Sequence, residues 1–143
     1  MFEDDTDTIY YYRYLNIAST GSQRIHIEVK ASNDAHIALS PSGYSYEFYE
    51  VVIGEWANLQ SVIRHCMQCP GEITEFTQDY LSPSEFQQFW ITFGSNGAIA
   101  VGRDDETTPF MEWIDPDPVD VQYLGYSTGW ESKGEFRLCS FGR

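Results

Sequence analysis

Hydrophobic and polar positions alternate along most of the chain. Between Arg24 and Lys30, Ile25, Ile27 and Val29 alternate with charged or imidazole side chains, the period of a strand with one buried face. Further apolar or alternating segments follow at intervals of about 10–12 residues, separated by turn residues. They cover residues 34–40, 44–53, 86–93, 98–101, 110–114, 121–126 and 135–141. This spacing predicts an all-β fold, an antiparallel β-sandwich or jelly roll.

Three segments carry turn or helix signals in addition to the strand pattern. Gly94-Ser95-Asn96-Gly97 has a tight-turn composition and predicts a hairpin between residues 86–93 and 98–101. The apolar residues between positions 56 and 67 also fall near helical spacing, so this segment fits a helix on pattern alone. Leu81–Phe86 could open a short helical turn with a serine as N-cap. We therefore expect at most one or two short helical turns.

The chain has the length and composition of one domain. Its 143 residues are 42% hydrophobic and 16% aromatic, enough to bury a sizeable core. Residues 1–8 are acidic and polar and are predicted to be a flexible tail. Residues 9–143 are predicted to form a single β-sandwich domain.

The charge balance restricts the partners. The net charge is −14, from 22 acidic and 8 basic residues, which disfavours nucleic acids and anionic membrane surfaces. No apolar run approaches the roughly 20 residues of a membrane span, so no membrane insertion is expected. The first residues lack the basic and apolar regions of a signal peptide. We expect a cytoplasmic location, or an extracellular one if the domain is part of a longer chain.

Cys66, Cys69 and Cys139 are the three cysteines. Cys66 and Cys69 have CxxC spacing, but a structural zinc site usually needs a second pair, and a redox pair would be expected to open a helix. Pro70-Gly71 instead predicts a turn. Incidental thiols are the favoured interpretation, with a local disulfide and a metal or redox role as alternatives. The acidic segments 104–106 and 115–120 offer oxygen atoms for calcium, but solvated surface is favoured, and no metal is expected.

Five blocks of sequence occur in a characteristic order. They include Asp34-Ala-His-Ile-Ala-Leu-Ser40 and Pro109-Phe-Met-Glu-Trp-Ile-Asp115, together with residues 50–64, 89–103 and 123–137. In this order they resemble the farnesoic acid O-methyltransferase (FAMeT) domain family of arthropods and other invertebrates. The resemblance implies a strand after Trp56, and methyl transfer from S-adenosylmethionine to farnesoic acid. The chain departs from the family pattern at Glu55, where glycine is usual, and at Phe136, where tryptophan is usual.

The glycine pattern bears on that activity. Common methyltransferases hold S-adenosylmethionine against a Gly-x-Gly loop that follows the first strand of an α/β sheet. None of the eleven glycines is separated from another by a single residue, and strand–helix alternation is absent. No nucleophile-elbow sequence is present either. The residues therefore predict no cofactor and no catalytic residue.

The polar faces of the predicted strands carry side chains suited to recognising a sugar. Fixed donors and acceptors bind vicinal hydroxyls, and an aromatic face packs on the ring, a layout that resembles galectin-like sandwiches. The candidate ligand-binding residues are Asp34, His36, Asn58, Arg64, Trp90 and Trp130. Alternatively, His36 and Arg64 are solvated or pair with acids across strands, and the tryptophans are packing residues.

The leading hypothesis is a non-catalytic recognition module that binds a carbohydrate or another small ligand on one sandwich face. A farnesoic acid O-methyltransferase and a protein–protein interaction domain are the alternatives. The sequence leaves the oligomeric state open.

Overall fold

Two antiparallel six-stranded sheets form the molecule. The computed structural model describes residues 2–7, 10–17, 23–43, 47–94, 96–103, 105–130 and 132–142. The strands are β1 (Phe2–Asp5), β2 (Arg13–Asn16), β3 (Arg24–Ala31), β4 (Ala35–Ser40), β5 (Tyr49–Gly54), β6 (Gln60–Arg64), β7 (Gly71–Phe76), β8 (Gln87–Phe93), β9 (Ala98–Arg103), β10 (Met111–Ile114), β11 (Tyr123–Thr128) and β12 (Gly134–Gly142). Sheet A has the strand order β1-β12-β3-β8-β9-β10, and sheet B the order β2-β11-β4-β5-β6-β7.

The core lies between the inner faces of the two sheets. On β3 every second residue is buried, and Ile25, Ile27 and Val29 belong to one cluster with residues of sheet B such as Ile37 and Ile53. Complete burial of such a side chain contributes about 1.5–3 kcal/mol. The predicted all-β sandwich is confirmed.

The hairpin predicted around Gly94-Ser95-Asn96-Gly97 is also confirmed, although Ser95 lies outside the described residues. Strands β8 and β9 pair from Phe89–Arg103 to Phe93–Ile99. The Gly97 amide donates to the Gly94 carbonyl at 3.0 Å, and Gly97 has a φ of 83°. A Cβ at Gly97 would collide with the backbone of Asp115, so the turn requires glycine here.

The segment after Gly54 is mostly strand, as the resemblance implied. Glu55–Asn58 makes one helical turn, α1, in which Trp56, Ala57 and Asn58 have left-handed φ values of 53°, 58° and 65°. The chain then enters β6 at Gln60. Left-handed residues with side chains cost about 1–2 kcal/mol each, so α1 cannot propagate. Of the two interpretations that the sequence left open for residues 56–67, the strand is observed, in β6, and the helix does not form.

The helical turn predicted over Leu81–Phe86 is wrong. The segment is a bend, although the Ser82 hydroxyl accepts hydrogen bonds from the amides of Ser84 and Glu85, both at 3.2 Å. The capping bonds form without a helix because Gln87 already pairs with β3. Too few residues remain for a turn of helix to continue.

The prediction of a flexible tail over residues 1–8 is wrong for residues 2–7; Met1 and Thr8 lie outside the described residues. Strand β1 pairs with β12 from Phe2–Leu138 to Asp5–Glu135. Phe2 packs edge-on against Tyr126 at 5.8 Å. The acidic composition suggested a solvated tail, but Phe2 and Asp4 face inward while their neighbours face solvent. The predicted strand over 44–53 is observed from Tyr49, and Tyr44–Tyr46 lie outside the described residues.

Among the described residues, no helix combines the length and apolar character needed to cross a membrane.

Candidate functional site

The outer face of sheet B carries a row of tyrosines. Tyr10, Tyr12 and Tyr14 alternate along the segment that leads into and begins β2, and their rings lie over the neighbouring strands. They can do so because β11 has small residues there. A Cβ on Gly125 would come within 2.7 Å of the Tyr14 ring, so the missing side chain makes room for that ring. The Tyr11 amide donates to the Ser127 hydroxyl at 3.0 Å and holds the segment along β11.

Beneath the tyrosines lies the carboxylate of Glu50, which is fully buried on β5. The hydroxyls of Tyr10 and Tyr12 both donate to its Oε2, the latter at 2.6 Å. Its Oε1 accepts from Arg64 Nη1 at 3.1 Å and from the Gln68 amide at 3.0 Å. A buried carboxylate with this many donors is compensated for the loss of water.

His36 lies between two carboxylates. Its Nδ1 is 3.4 Å from Glu50 Oε2, and its Nε2 is 3.6 Å from Asp34 Oδ1, an ion-pair contact rather than a hydrogen bond. Burial lowers the pKa of His36, but the contacts with Asp34 and Glu50 outweigh it, and the net shift is upward. Burial likewise raises the pKa of Glu50, but bonds from His36, the Gln68 amide, Tyr10 and Tyr12 outweigh it and lower this pKa to about 2. Burial, reinforced by the charge of Glu50, raises the pKa of both Tyr10 and Tyr12.

Arg64 joins Glu50 to a second acid. Its Nη2 donates to Glu55 Oε1 at 2.9 Å, and the other oxygen of Glu55 accepts from Gln60 at 2.9 Å. Only 14% of the Arg64 side chain is exposed. Arg64 and His36 therefore pair with acids across strands, the alternative that the sequence left open, and they support the tyrosines from below.

Above the tyrosines lies an open groove of about 1080 Å³. We call it the tyrosine groove. Its lining comprises Tyr10, Tyr11, Tyr12, Arg13, Tyr14, Gly43, Glu47, Phe48, His65, Cys66, Met67, Cys69 and Tyr123. Aromatic faces with a few polar groups at the rim are typical of small-ligand sites.

The turn at residues 65–69 forms one wall of the groove. Cys66 and Cys69 are joined by a disulfide, and their Cα atoms lie 5.2 Å apart, within the usual range for such a bond. The favoured interpretation of these residues as incidental thiols is therefore corrected. The turn brings the two cysteines together: the Cys69 amide donates to the Cys66 carbonyl at 3.2 Å, and Gln68 adopts a left-handed φ of 61°.

His65 provides an oriented polar group at the same wall. Its Nε2 lies 3.1 Å from Oδ2 of the buried Asp115, which also accepts the Tyr49 hydroxyl at 2.9 Å. The imidazole ring lies near Tyr49 and Trp113, with centroids 5.9 and 6.0 Å away. Burial, supported by Asp115, raises the pKa of Tyr49 to about 12 although the Val119 amide bond opposes it. The His65 ring therefore lies between the aromatic rings of Tyr49 and Trp113 and the carboxylate of Asp115.

The other predicted residues lie elsewhere. Asn58 exchanges two hydrogen bonds with the backbone of Leu81, at 2.9 and 3.2 Å, and holds that segment against α1. Trp130 follows β11 with a left-handed φ of 55° and is 68% exposed. Both lie at the end of sheet B where β5 ends and β6 begins.

Trp90 lies on the opposite sheet. It projects from the outer face of sheet A, where only 4% of it is exposed. Its indole N–H donates to the Glu106 carbonyl at 2.9 Å, and the Arg24 guanidinium lies 4.6 Å from the ring centroid. Of the six predicted residues, the structure brings together Asp34, His36 and Arg64, and separates the other three from them.

The tyrosines of the groove were missed in the sequence. Tyr10, Tyr12 and Tyr14 have the period of one strand face, and this alternation could have identified them. Nothing in the sequence near Glu50 shows that its carboxylate meets Arg64 and His36, because that contact depends on strand pairing.

Within the described parts of the chain, no group of three or more His, Cys, Asp or Glu side chains is placed to hold a metal ion. Asp115 uses both oxygens for contacts within the protein, with Tyr49 and His65 at one and the Asp117 amide at the other. In the other acidic segment, Asp104 lies outside the described residues.

Several solved structures share this fold. Caenorhabditis elegans galectin LEC-6 aligns with 95% of this chain and 96% of its own, at a TM-score of 0.58 and 8% identity. A prokaryotic β-1,3-1,4-glucanase (lichenase) from a mouse hindgut metagenome aligns with 92% of this chain and 74% of its own, at 0.55 and 11%. Galectin-1-L2 of Dario rerio aligns with 99% of this chain and 100% of its own, at 0.51 and 12%.

At such low identity these likenesses show a galectin-like sandwich and no more than the fold. No curated protein matches the chain by sequence. A family model does match, over residues 5–141, and its description is farnesoic acid O-methyltransferase. The match spans nearly the whole sandwich, including the tyrosines, Glu50 and the disulfide turn, and the chain therefore belongs to the farnesoic acid O-methyltransferase family.

Proposed function

We propose that this domain is a recognition module that binds a carbohydrate in the tyrosine groove. The observation that carries the proposal is the groove itself, an open volume of about 1080 Å³ floored by aromatic rings and bordered by Arg13, Glu47 and His65. Supporting it, the proteins that share this fold include two galectins and a glucanase.

The groove has the two components that a sugar site needs. The C–H face of a pyranose ring packs on an aromatic face, and Tyr14 and Tyr123 stand nearly perpendicular to each other with centroids 6.5 Å apart. Hydroxyl groups need donors and acceptors of fixed direction. The His65 imidazole is in ion-pair contact with Asp115, and the Arg13 guanidinium bonds to Asp4 at 3.0 Å, so both polar side chains are restrained.

The floor of the groove is preorganised by the network below it. Tyr10 and Tyr12 cannot rotate freely because their hydroxyls donate to Glu50. Glu50 is in turn held by Arg64 and by the Gln68 amide from the opposite wall. Rings that are ordered before binding reduce the entropy lost on binding.

A glycan array followed by calorimetry tests the proposal. We expect Tyr14→Ala to weaken binding of a positive glycan about tenfold or more, because a stacking ring is removed. Phe76→Ala is the control, since it removes an exposed aromatic ring on β7 that does not line the groove. A chain that binds no glycan, or binds one as well after Tyr14→Ala, contradicts the proposal.

The residues predicted from sequence are tested in the same assay. Trp130→Ala removes an exposed ring at the end of sheet B and leaves the groove lining intact. Loss of binding in this variant but not in Tyr14→Ala would move the site to that end. Arg64→Ala acts differently, since it removes a support of Glu50 and is expected to lower stability as well as affinity.

The family description favours a second candidate function, methyl transfer to farnesoic acid. Calorimetry with S-adenosylmethionine separates the two. Micromolar binding of that cofactor would overturn the recognition proposal in favour of the enzyme.

A further inference from the structure

The disulfide turn, residues 65–69, connects β6 to β7. The pairing of these two strands extends to Arg64 and Gly71, so the hairpin is closed directly below the turn. Met67 and Gln68 are exposed, and neither core cluster of the described residues includes a side chain of the turn. The turn is therefore held chiefly by polar contacts and by the disulfide, while the strands below it are held by their own pairing.

Gln68 carries the contacts from this turn to the floor of the groove. Its backbone amide donates to Glu50 Oε1 at 3.0 Å, and its side-chain Nε2 donates to the Tyr10 hydroxyl at 3.3 Å. The same hydroxyl donates to the other oxygen of Glu50. One residue of the turn therefore joins the wall of the groove to its floor.

The backbone of Gln68 has a conformation that needs support. Its φ of 61° is left-handed, a region that residues with a Cβ rarely adopt. Gln68 lies inside the short ring that the Cys66–Cys69 disulfide closes, and the Cys69 amide also donates to the Cys66 carbonyl at 3.2 Å. Because a cross-link removes conformational freedom from the residues inside it, the disulfide keeps the Gln68 amide directed at Glu50.

The disulfide is accessible to a reductant. Cys66 and Cys69 are both partly exposed, and both line the groove. Exposed disulfides are in general more easily reduced than buried structural ones. A dithiol reduces the bond in two steps: one thiolate attacks a sulfur atom and breaks the S–S bond, and the second thiol then resolves the mixed disulfide. The dithiol leaves as a disulfide, and Cys66 and Cys69 gain two electrons and two protons as free thiols.

We propose that the Cys66–Cys69 disulfide is a redox switch for the tyrosine groove. The oxidised form holds Gln68 against Glu50 and Tyr10. In the reduced form the turn is released, and the groove loses one wall and one support of its floor. The groove is then complete in an oxidising compartment and open in a reducing one. The effect on ligand affinity rests on the proposed carbohydrate function, whereas the release of the turn does not.

Native-state hydrogen exchange, followed residue by residue with nuclear magnetic resonance, tests the release of the turn without a ligand. The chain is compared before and after reduction with dithiothreitol. We expect the Gln68 amide to exchange about tenfold or more faster after reduction, because its bond to Glu50 opens, and the Ile27 amide on β3 to exchange at the same rate in both forms. An unchanged rate at Gln68 overturns the proposal. Faster exchange throughout both sheets also overturns it, because the disulfide is then a support of the whole fold.

The double variant Cys66→Ser with Cys69→Ser should reproduce the reduced form, with fast exchange at Gln68 in the presence or absence of dithiothreitol. Cys139→Ser is the matched control, because it makes the same substitution on β12 and keeps the turn, so Gln68 should still respond to the reductant. Reoxidation of the wild-type chain with oxidised glutathione should restore the slow rate, which gives the same comparison without a substitution. Slow exchange at Gln68 in the double variant contradicts the switch.

Calorimetry with a glycan identified on the array measures the consequence for binding. We expect reduction to weaken binding about tenfold, because the wall and floor of the groove are no longer ordered before the ligand arrives. Equal affinity in both forms, with a released turn, overturns the switch and leaves the recognition function standing. A chain that binds no glycan in either form contradicts the recognition function, and the exchange rate of Gln68 then decides the switch alone.

Discussion

The carboxylate of Glu50 connects three parts of the molecule that are distant in sequence. Tyr10 and Tyr12 come from the segment before β2, Arg64 from the end of β6, and the Gln68 amide from the disulfide turn. Because the charge is buried, these contacts offset its desolvation. The shape of the tyrosine groove therefore depends on the ionisation of one residue.

Glu50→Gln should reduce the decrease in the free energy of unfolding that accompanies a fall in pH. The folded-state pKa of Glu50 is lowered from 4.5 to about 2. A lowered pKa contributes stability that is full above the unfolded-state value and is lost as pH falls from about 4.5 to 2. The contribution is on the order of 3 kcal/mol. Urea unfolding at a series of pH values measures it, and the variant should lose this acid-dependent part and be less stable at pH 7.

Glu75→Gln is the control for that experiment, because Glu75 is exposed on the edge strand β7. It should leave the fall in the free energy of unfolding between about pH 4.5 and 2 unchanged. A fall that is the same in the wild type and in Glu50→Gln would show that Glu50 is not held ionised by the network.

His36→Gln should change the pH dependence of stability with the opposite sign. The raised pKa of His36 gives stability that is full below about pH 6.5 and is lost as the pH rises through the folded-state value.

Residue types alone identified part of this network. The sequence predicts His36, Asp34 and Arg64 as polar residues on strand faces, and the structure brings the three together. It does not distinguish their partner Glu50, because an acid in a chain with 22 acidic residues carries no particular signal. Strand register places Glu50 opposite both Ala38 and Arg64, and register is a property of the whole sheet.

At the scale of secondary structure elements, the N-terminal strand covers one edge of sheet A. Besides its pairing with β12, β1 contributes Asp4, which accepts from the Tyr126 hydroxyl at 2.7 Å. Thr6 then bonds to the Thr128 hydroxyl at 2.7 Å. The strand thus ties the edge of sheet A to the end of β11 in sheet B.

Deletion of residues 1–7 should destabilise the protein by about 2–4 kcal/mol, because several hydrogen bonds of about 1 kcal/mol each and the burial of Phe2 are lost. Chemical denaturation followed by circular dichroism measures the change. Asp5→Ser is the matched control, since the Asp5 side chain faces solvent and the strand is retained. A truncated chain as stable as the full one would restore the flexible tail predicted from composition.

The disulfide turn predicts a specific thiol count. Under denaturing, non-reducing conditions a maleimide should label one cysteine per chain, Cys139, and after reduction all three. Mass spectrometry of the labelled chain distinguishes the two states. In the chain-entropy model a loop this short contributes about 2 kcal/mol, so Cys66→Ser should lower stability by about that amount. Three labelled cysteines without reduction would contradict the disulfide.

Elements with strong local signals were predictable. The β8–β9 hairpin followed from its turn sequence, and β3 from the alternation of isoleucine and valine with polar residues. The α1 turn and β1 were not, because α1 relies on left-handed residues that only the surrounding contacts support. In β1 the inward-facing residues are too few to outweigh an acidic composition.

At the scale of the whole molecule, the two sheets share one core. The cluster between them takes residues from β3, β8 and β12 of sheet A and from β4, β5 and β6 of sheet B. Neither sheet buries its inner face without the other. We therefore expect residues 9–143 to unfold in one cooperative transition, together with β1. Tryptophan fluorescence and far-ultraviolet circular dichroism should give the same midpoint.

The burial of this core offsets the repulsion among the charges of the folded protein, whose net charge is −14. At low ionic strength this repulsion destabilises the compact state, and salt screens it over a Debye length of about 10 Å at 0.1 M. The melting temperature should therefore rise by several degrees between 10 and 150 mM sodium chloride.

A double variant, Glu75→Lys with Glu112→Lys, tests this explanation, because it places cations at exposed sites on the two edge strands β7 and β10. It should melt higher than the wild type at 10 mM salt and respond less to added salt. An unchanged salt response would show that the ion pairs of the folded state, such as Lys30–Glu135 at 2.6 Å, already balance the excess acid.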